Sequence, residues 1–279
     1  MADALDPSDA IVRHYEQDYR EADRIAAGFD SLELVRTQEI LRRHLPPAPA
    51  AVLDVGGATG VHASWLAADG YRVHIVDLVP LHVERAQADL ASLGVTAEVG
   101  DARELANADA SVDVTLVLGP LYHLLSRADR VAALAEARRV TRPGGLVAIA
   151  AVSRFASVAS GLQHGFLLDP EFRAIVERDL REGQHRNDNR RPGWFTTAFF
   201  HHPDELRDEI DAAGLHLVEL VGVEGLAVWL DLADRWATAD GREAILFAAR
   251  AVESEPSLLG VSPHLLAIAR TADASVDPI

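Results

Sequence analysis

Cysteine and lysine are both absent from this chain of 279 residues. Without cysteine there is no disulfide, no thiolate nucleophile and no cysteine-based zinc site. Without lysine all 26 basic residues are arginine, which removes Schiff-base chemistry and the phosphate-binding lysine of a P-loop. Long apolar runs are missing as well. None approaches the roughly 18 residues of a membrane span, and the stretch from Met1 to Asp6 has neither the basic nor the apolar region of a signal peptide. These absences predict a cytoplasmic protein. Positive charge is also short: the formal net charge is −17, which opposes binding to a nucleic-acid backbone or an anionic membrane. The expected partner is a small-molecule substrate, with no nucleic acid and no membrane, for a monomer or homodimer whose charge serves solubility.

What remains is ordinary for a globular enzyme: 49% hydrophobic and 25% charged residues, in a length that suits one large domain. Helical spacing over residues 8–30 and from Leu32 to Leu45 precedes Pro46-Pro47-Ala48-Pro49, which stops the second helix. Ala51 to Val55 is a short continuous apolar run, the mark of a strand covered on both faces. Strands and helices then alternate: strands at 71–77, 95–99, 112–118 and 146–152, with helices at 60–68, 82–93 and 127–140 between them. That alternation predicts a Rossmann-like three-layer α/β/α sandwich on a mostly parallel, seven-stranded sheet. The rhythm breaks over 155–200, including a polar, arginine-rich loop from Glu182 to Gly193. It resumes with a helix from Pro203, a strand at 215–223, a helix over 230–251 and a last strand at 264–270. One domain over 1–279 is expected, divided into a helical lid (1–49), a cofactor-binding core (50–154), a substrate cap insertion (155–202) and the second half of the sheet (203–279).

The turn after the first strand carries the chemistry. It reads Val52-Leu53-Asp54-Val55-Gly56-Gly57-Ala58-Thr59-Gly60, and the next strand closes on Asp77. A dinucleotide fingerprint needs Gly-x-Gly-x-x-Gly, a spacing this turn does not have. It reads instead as Asp-x-Gly-x-(small)-x-Gly, with Asp54, Gly56, Ala58 and Gly60. Here the chain resembles the class I S-adenosylmethionine-dependent methyltransferases, with Ala58 where the family has its middle glycine. Gly100-Asp101-Ala102, the strand from Asp113 to Leu118, and Arg142-Pro143-Gly144-Gly145 follow in the family's order. The resemblance implies S-adenosyl-L-methionine as cofactor, with Asp77 on the ribose hydroxyls and Asp101 and the Ala102 amide on adenine. Gly57, Leu78, His82, Arg103 and Leu118 are the remaining implied cofactor contacts from these segments. Arg36 is a candidate for the methionine carboxylate, or else forms a surface ion pair with Glu33. Taken singly, each glycine can be a simple turn and each acid a cap; four matches in register make the resemblance specific.

The family's substrate pocket lies beyond the fourth strand. The segment there is Gly119-Pro120-Leu121-Tyr122-His123-Leu124, without the Asn/Asp-Pro-Pro-Tyr/Phe motif used on planar amino groups, and similar to a bacterial group of small-molecule, natural-product-type methyltransferases. Tyr122 and His123 are the candidate catalytic residues, His123 also a candidate cofactor contact or helix cap. Tyr15 and Tyr19 share a helix face and are expected to close over substrate and cofactor respectively, unless they are two half-buried aromatics. Phe166, Phe200 and His201 are expected on the substrate, in a cap that also holds Trp194, Phe195, Phe199, His164 and His202; hydrophobic packing accounts for the aromatics equally well. Glu224 and Trp229 are within possible reach of the pocket. No metal site is expected, since adjacent His201 and His202 point apart. The expected activity is methyl transfer to a small organic molecule. The alternatives are cyclisation chemistry on the same cofactor, a non-catalytic binding partner, or a nicotinamide-dependent oxidoreductase.

Overall fold

A computed structural model describes residues 31–189 and 191–273. Tyr15 and Tyr19 lie outside the described residues. The chain enters through α1 (Ser31–His44), whose apolar face buries Leu32, Ile40 and Leu41. It continues through β1 (Ala51–Val55), α2 (Val61–Ala68), β2 (Arg72–Asp77), α3 (Pro80–Leu90), β3 (Thr96–Val99), β4 (Val112–Val117), α4 (Arg127–Val140) and β5 (Thr141–Val152). The sequence expectation holds here to within a few residues at most boundaries. Each helix stops where its sequence dictates: the left-handed Gly70 and Gly94 end the turns after α2 and α3.

The seven-stranded sheet has the order β3-β2-β1-β4-β5-β9-β8, where β8 is His216–Gly222 and β9 is His264–Arg270. Strands β1 to β5 are parallel; β9 runs antiparallel between β5 and β8. One face packs Ile40, Leu41, Leu66, Val83 and Ala86 against the sheet, and the other packs Leu134, Ala137, Leu206 and Ile210. Helices on both faces explain why β1 reads as an apolar run rather than an alternating one. The connections reverse direction between β1 and β4. This switch point opens a crevice at the strands' carboxyl ends, where open α/β sheets take ligands.

Three expectations need correction. Arg142-Pro143-Gly144-Gly145 turns as expected, but inside the fifth strand rather than before it. Thr141 already pairs with Val112, and the next pair is Leu146 with Val114, so the segment is a bulge inside β5 with Gly144 at φ 70°. Residues 230–251 do not form one helix: a short α8 (Ala233–Trp236) is followed by α9 (Ala239–Val252), restarted by the Thr238 side chain accepting from Gly241 N. The expected loop from Glu182 to Gly193 opens on the last residue of a helix and its Gly183 cap, then contains a strand, β6 (Gln184–His185), paired antiparallel with β7 (Ala198–Phe199). Between β5 and α7 (Pro203–Ala212), the segment also folds α5 (Ala156–Gln163) and α6 (Pro170–Glu182).

Candidate functional site

A cleft of about 530 Å³ runs along the carboxyl ends of β1, β2, β4 and β5 and continues beneath the segment formed by α5, α6 and the β6–β7 pair. Its narrow end is built by the turn after β1. Gly56 (φ 70°) donates to Val76 O at 2.7 Å, and a Cβ there would stand 2.6 Å from Pro120 Cδ. Only glycine lets the β1 and β4 loops approach this closely. Gly60 (φ 89°) starts α2 and faces Leu90 and Ile75 instead; it shapes the turn and does not line the cleft. Ala58 adopts φ 48°, the left-handed region that disfavours a side chain, and its N–H donates to Asp77 Oδ2 at 2.9 Å. Ala58→Gly is therefore expected to raise stability by about 1 kcal/mol, read as a higher unfolding midpoint in urea.

Asp77 is buried at the end of β2 and tied down on both oxygens. Besides Ala58, it accepts from Val79 N at 2.9 Å, and His82 Nδ1 lies 3.1 Å away. Asp101 faces the same cavity after β3, clamped by Arg103 through the backbone amide at 2.8 Å and the guanidinium at 2.6 Å. The hydrogen bonds from the Arg103 side chain hold its carboxyl below the usual carboxylate range. Leu78, Gly57, Ala102 and Leu118 line the cleft beside these groups.

Asp54 is the exception in this polar end. Its carboxylate is buried, lines the cleft, and neither oxygen has a hydrogen-bond partner among the described residues. Burial, with the Asp77 charge nearby, pushes it up to about 7. An orphaned buried carboxylate on a cavity wall calls for a donor or a cation from the ligand.

The wider end of the cleft is aromatic. The 3₁₀ turn Leu121–His123 presents Tyr122 and His123, with ring centroids 4.6 Å apart, and Phe195 lies 6.4 Å from Tyr122. Trp194, Phe200 and Trp229 line the same space, with His62, His164, His185 and His264. Burial drives His62 down to about 4, so its imidazole is neutral near physiological pH. At one wall Glu33 and Glu224 gather around His264, their ligand-type atoms all within 4.8 Å. His264 Nδ1 is already hydrogen-bonded to Glu224, which also accepts from Ser262 Oγ at 2.9 Å.

Several expected site residues stand elsewhere. Arg36 is fully buried, but its guanidinium is consumed by Val223 O at 3.1 Å, Glu39 at 2.6 Å and Glu253; it does not line the cleft, and its partner is not Glu33. His201 is buried behind the cavity, where Nε2 meets Glu209 at 3.1 Å in a network with Arg130. There Arg130 also lies over the Phe199 ring at 3.5 Å and donates to the Leu124 and Leu125 carbonyls. Phe166 packs against Phe172 and His164 rather than lining the cleft. His202 caps α7, accepting from Asp204 N. Glu33, Thr37, His62 and His185 line the cleft without having been expected there. None sits in a recognisable motif; only the folded chain brings them together.

Residues 52–145, the stretch that builds the narrow end of this cleft, match the methyltransferase domain family. This methyltransferase domain resembles that of the class I S-adenosylmethionine-dependent superfamily, with which the sheet is consistent. A ubiquinone biosynthesis O-methyltransferase of Azorhizobium caulinodans is 32% identical over 178 residues, covering 62% of this chain and 61% of that protein. This chain thus aligns with less than two thirds of that relative's length. An S-adenosylmethionine-dependent methyltransferase from Mesorhizobium loti superposes with a TM-score of 0.59 at 18% identity, over 86% of this chain and 99% of the other. The [4+2]-cyclase SpnF superposes at 0.55 with 15% identity, over 89% and 85%. Both superpositions show a shared fold. The cofactor of the superfamily, S-adenosylmethionine, fits the narrow end: a cationic ligand answers the orphaned Asp54, and Asp77 and Asp101 supply acceptors at the edges of the cavity. No helix among the described residues is long and apolar enough to cross a membrane.

Proposed function

We propose that this chain transfers the methyl group of S-adenosylmethionine to a small, largely aromatic organic molecule. The single observation that carries the reading is the continuity of one cleft from Asp54 and Asp77 to an aromatic arm. The cofactor, when bound, supplies an activated methyl on a sulfonium. The chain's tasks are to hold it, exclude water and align an acceptor behind the methyl carbon. Asp77, with Leu78 and His82, is assigned to the ribose end, and Asp101, Ala102 and Arg103 to adenine. Tyr122 and His123 stand where the polar end meets the aromatic arm, and we assign them to contact with the reacting pair. Residues 155–202 act as the cap over the acceptor. The Gly-Pro-Leu-Tyr-His-Leu segment supports an acceptor of natural-product type, and the O-methyltransferase relative supports oxygen as the methylated atom.

Calorimetry and product analysis test this reading. S-adenosylmethionine and S-adenosylhomocysteine are expected to bind one per chain and to compete, and turnover is expected to release S-adenosylhomocysteine. Tight binding of a nicotinamide dinucleotide without binding of S-adenosylmethionine would overturn it. Release of methylthioadenosine would mean attack at another carbon of the cofactor, and cofactor recovered intact after conversion of the acceptor would mean cyclisation chemistry.

A further inference from the structure

The cap wall of the cleft holds an imidazole in an arrangement that packing alone does not explain. His185, the second residue of β6, is buried and lines the cleft. Its Nδ1 lies 2.8 Å from Oδ2 of Asp179, a buried residue of the last turn of α6. Its Nε2 is buried too and has no hydrogen-bond partner among the described residues. The ring is held flat on Phe200, centroids 4.9 Å apart at 19°, with Phe195 at 6.3 Å on its edge. Between the two polar residues, Gly183 closes α6 at φ 72°, donating to Asp179 O, and a Cβ there would meet Phe200 O at 2.5 Å. The Gln184–Phe199 pairing then fixes the strand. The ring is thus oriented from both sides.

In the tautomer whose Nδ1–H donates to the Asp179 carboxylate, Nε2 is the ring's acceptor and carries the lone pair. A dry, unpartnered lone pair costs free energy unless a ligand satisfies it. Its surroundings are aromatic rather than acidic, which suits a neutral O–H donor on an aromatic ring and not an ammonium group.

We propose that His185 Nε2, oriented by Asp179, accepts the hydrogen bond of a ring hydroxyl on the acceptor molecule, and its proton during methyl transfer. The inference rests on the proposed methyl transfer. In that step the hydroxyl oxygen forms the new bond to the methyl carbon, and the carbon–sulfur bond breaks with its electron pair returning to sulfur. The hydroxyl proton passes to Nε2, and Asp179 stabilises the resulting imidazolium. His185 touches substrate; Asp179 is a positioning residue.

Binding to protein saturated with S-adenosylhomocysteine tests the assignment without turnover, using 2-naphthol and its ether 2-methoxynaphthalene as probes. Wild-type protein is expected to prefer 2-naphthol by about tenfold, the scale of one well-made hydrogen bond to a buried acceptor. His185→Gln and Asp179→Asn are expected to reduce that preference to threefold or less, with S-adenosylhomocysteine affinity unchanged. Addition of 2-naphthol to wild-type protein is also expected to shift the His185 Nε2 nitrogen resonance, a readout that does not depend on a variant folding. Equal affinity for the two probes, absence of 2-naphthol binding, a preference that survives His185→Gln, or an unmoved resonance each overturns the proposal. Failure to bind S-adenosylhomocysteine at all counts instead against the proposed function.

Discussion

S-adenosylmethionine affinity is expected to rise steeply with pH, approaching tenfold per unit between about pH 5 and 6.5 and levelling above about pH 7.5. The cause is Asp54. Burial and the neighbouring Asp77 charge raise its carboxyl to about 7, so the ligand-free protein carries it largely protonated below that value. A cationic ligand favours the ionised form, pulls the pKa down, and binding must release the proton. Calorimetry at about pH 6 in two buffers of different ionisation enthalpy is expected to show release approaching one proton per cofactor. Asp54→Asn removes the titration, flattening the pH dependence and leaving affinity low throughout. The sign for folding is opposite. A carboxyl whose folded pKa is raised contributes stability that is fully present below its unfolded pKa and is lost as pH rises through about 7. Ligand-free Asp54→Asn protein is therefore expected to be more stable than wild type at pH 8. An affinity independent of pH in the wild type would mean that Asp54 does not face the cofactor's charge.

Arg36→Met is expected to destabilise the protein by about 3–5 kcal/mol, lowering the melting temperature by roughly 10 °C. The guanidinium is fully buried and joins three elements: Glu39 one turn along α1, Val223 beyond β8, and Glu253 after α9. Removing it takes a donor from the buried Val223 carbonyl and leaves the partly buried Glu253 with Arg43 alone. Hydrogen bonds from Arg43 and Arg36, working against desolvation, hold Glu253 below its ordinary range, and part of that support goes with the substitution. Because Arg36 does not line the cleft, cofactor affinity of the folded variant is expected to stay within about threefold of wild type. Thermal melts with and without S-adenosylhomocysteine measure both quantities. A large loss of affinity with little loss of stability would restore the methionine-carboxylate role that the sequence suggested.

The contrast between Asp54 and Arg36 shows how far the sequence could be read. The sheet was legible because strands covered on both faces show as apolar runs, and because glycines at 56, 60, 70 and 94 take left-handed φ where the chain must turn. The narrow end of the cleft was legible for a related reason: its residues lie on consecutive strand ends, so local spacing encodes their positions. Arg36 was misread because nothing in its own helix reveals that Val223 and Glu253 close around it. The turn at Gly144 was legible, but the start of β5 before it was not, because the pairing of Thr141 with Val112 is a tertiary fact. The substrate arm was least legible. Phe166 and His201 belong to the expected cap but point into packing and into the Arg130–Glu209 network. His185 sat unnoticed in a polar stretch because its strand pairing and its Asp179 partner are tertiary facts.

A crystal structure with S-adenosylhomocysteine tests the central claim most directly. The account predicts the ribose hydroxyls on Asp77, the adenine beside Asp101 and Ala102, and the sulfur directed toward Tyr122 and His123 with the aromatic arm open beyond it. A ligand bound away from Asp54 and Asp77, or lying with its sulfur turned away from the aromatic arm, would contradict it.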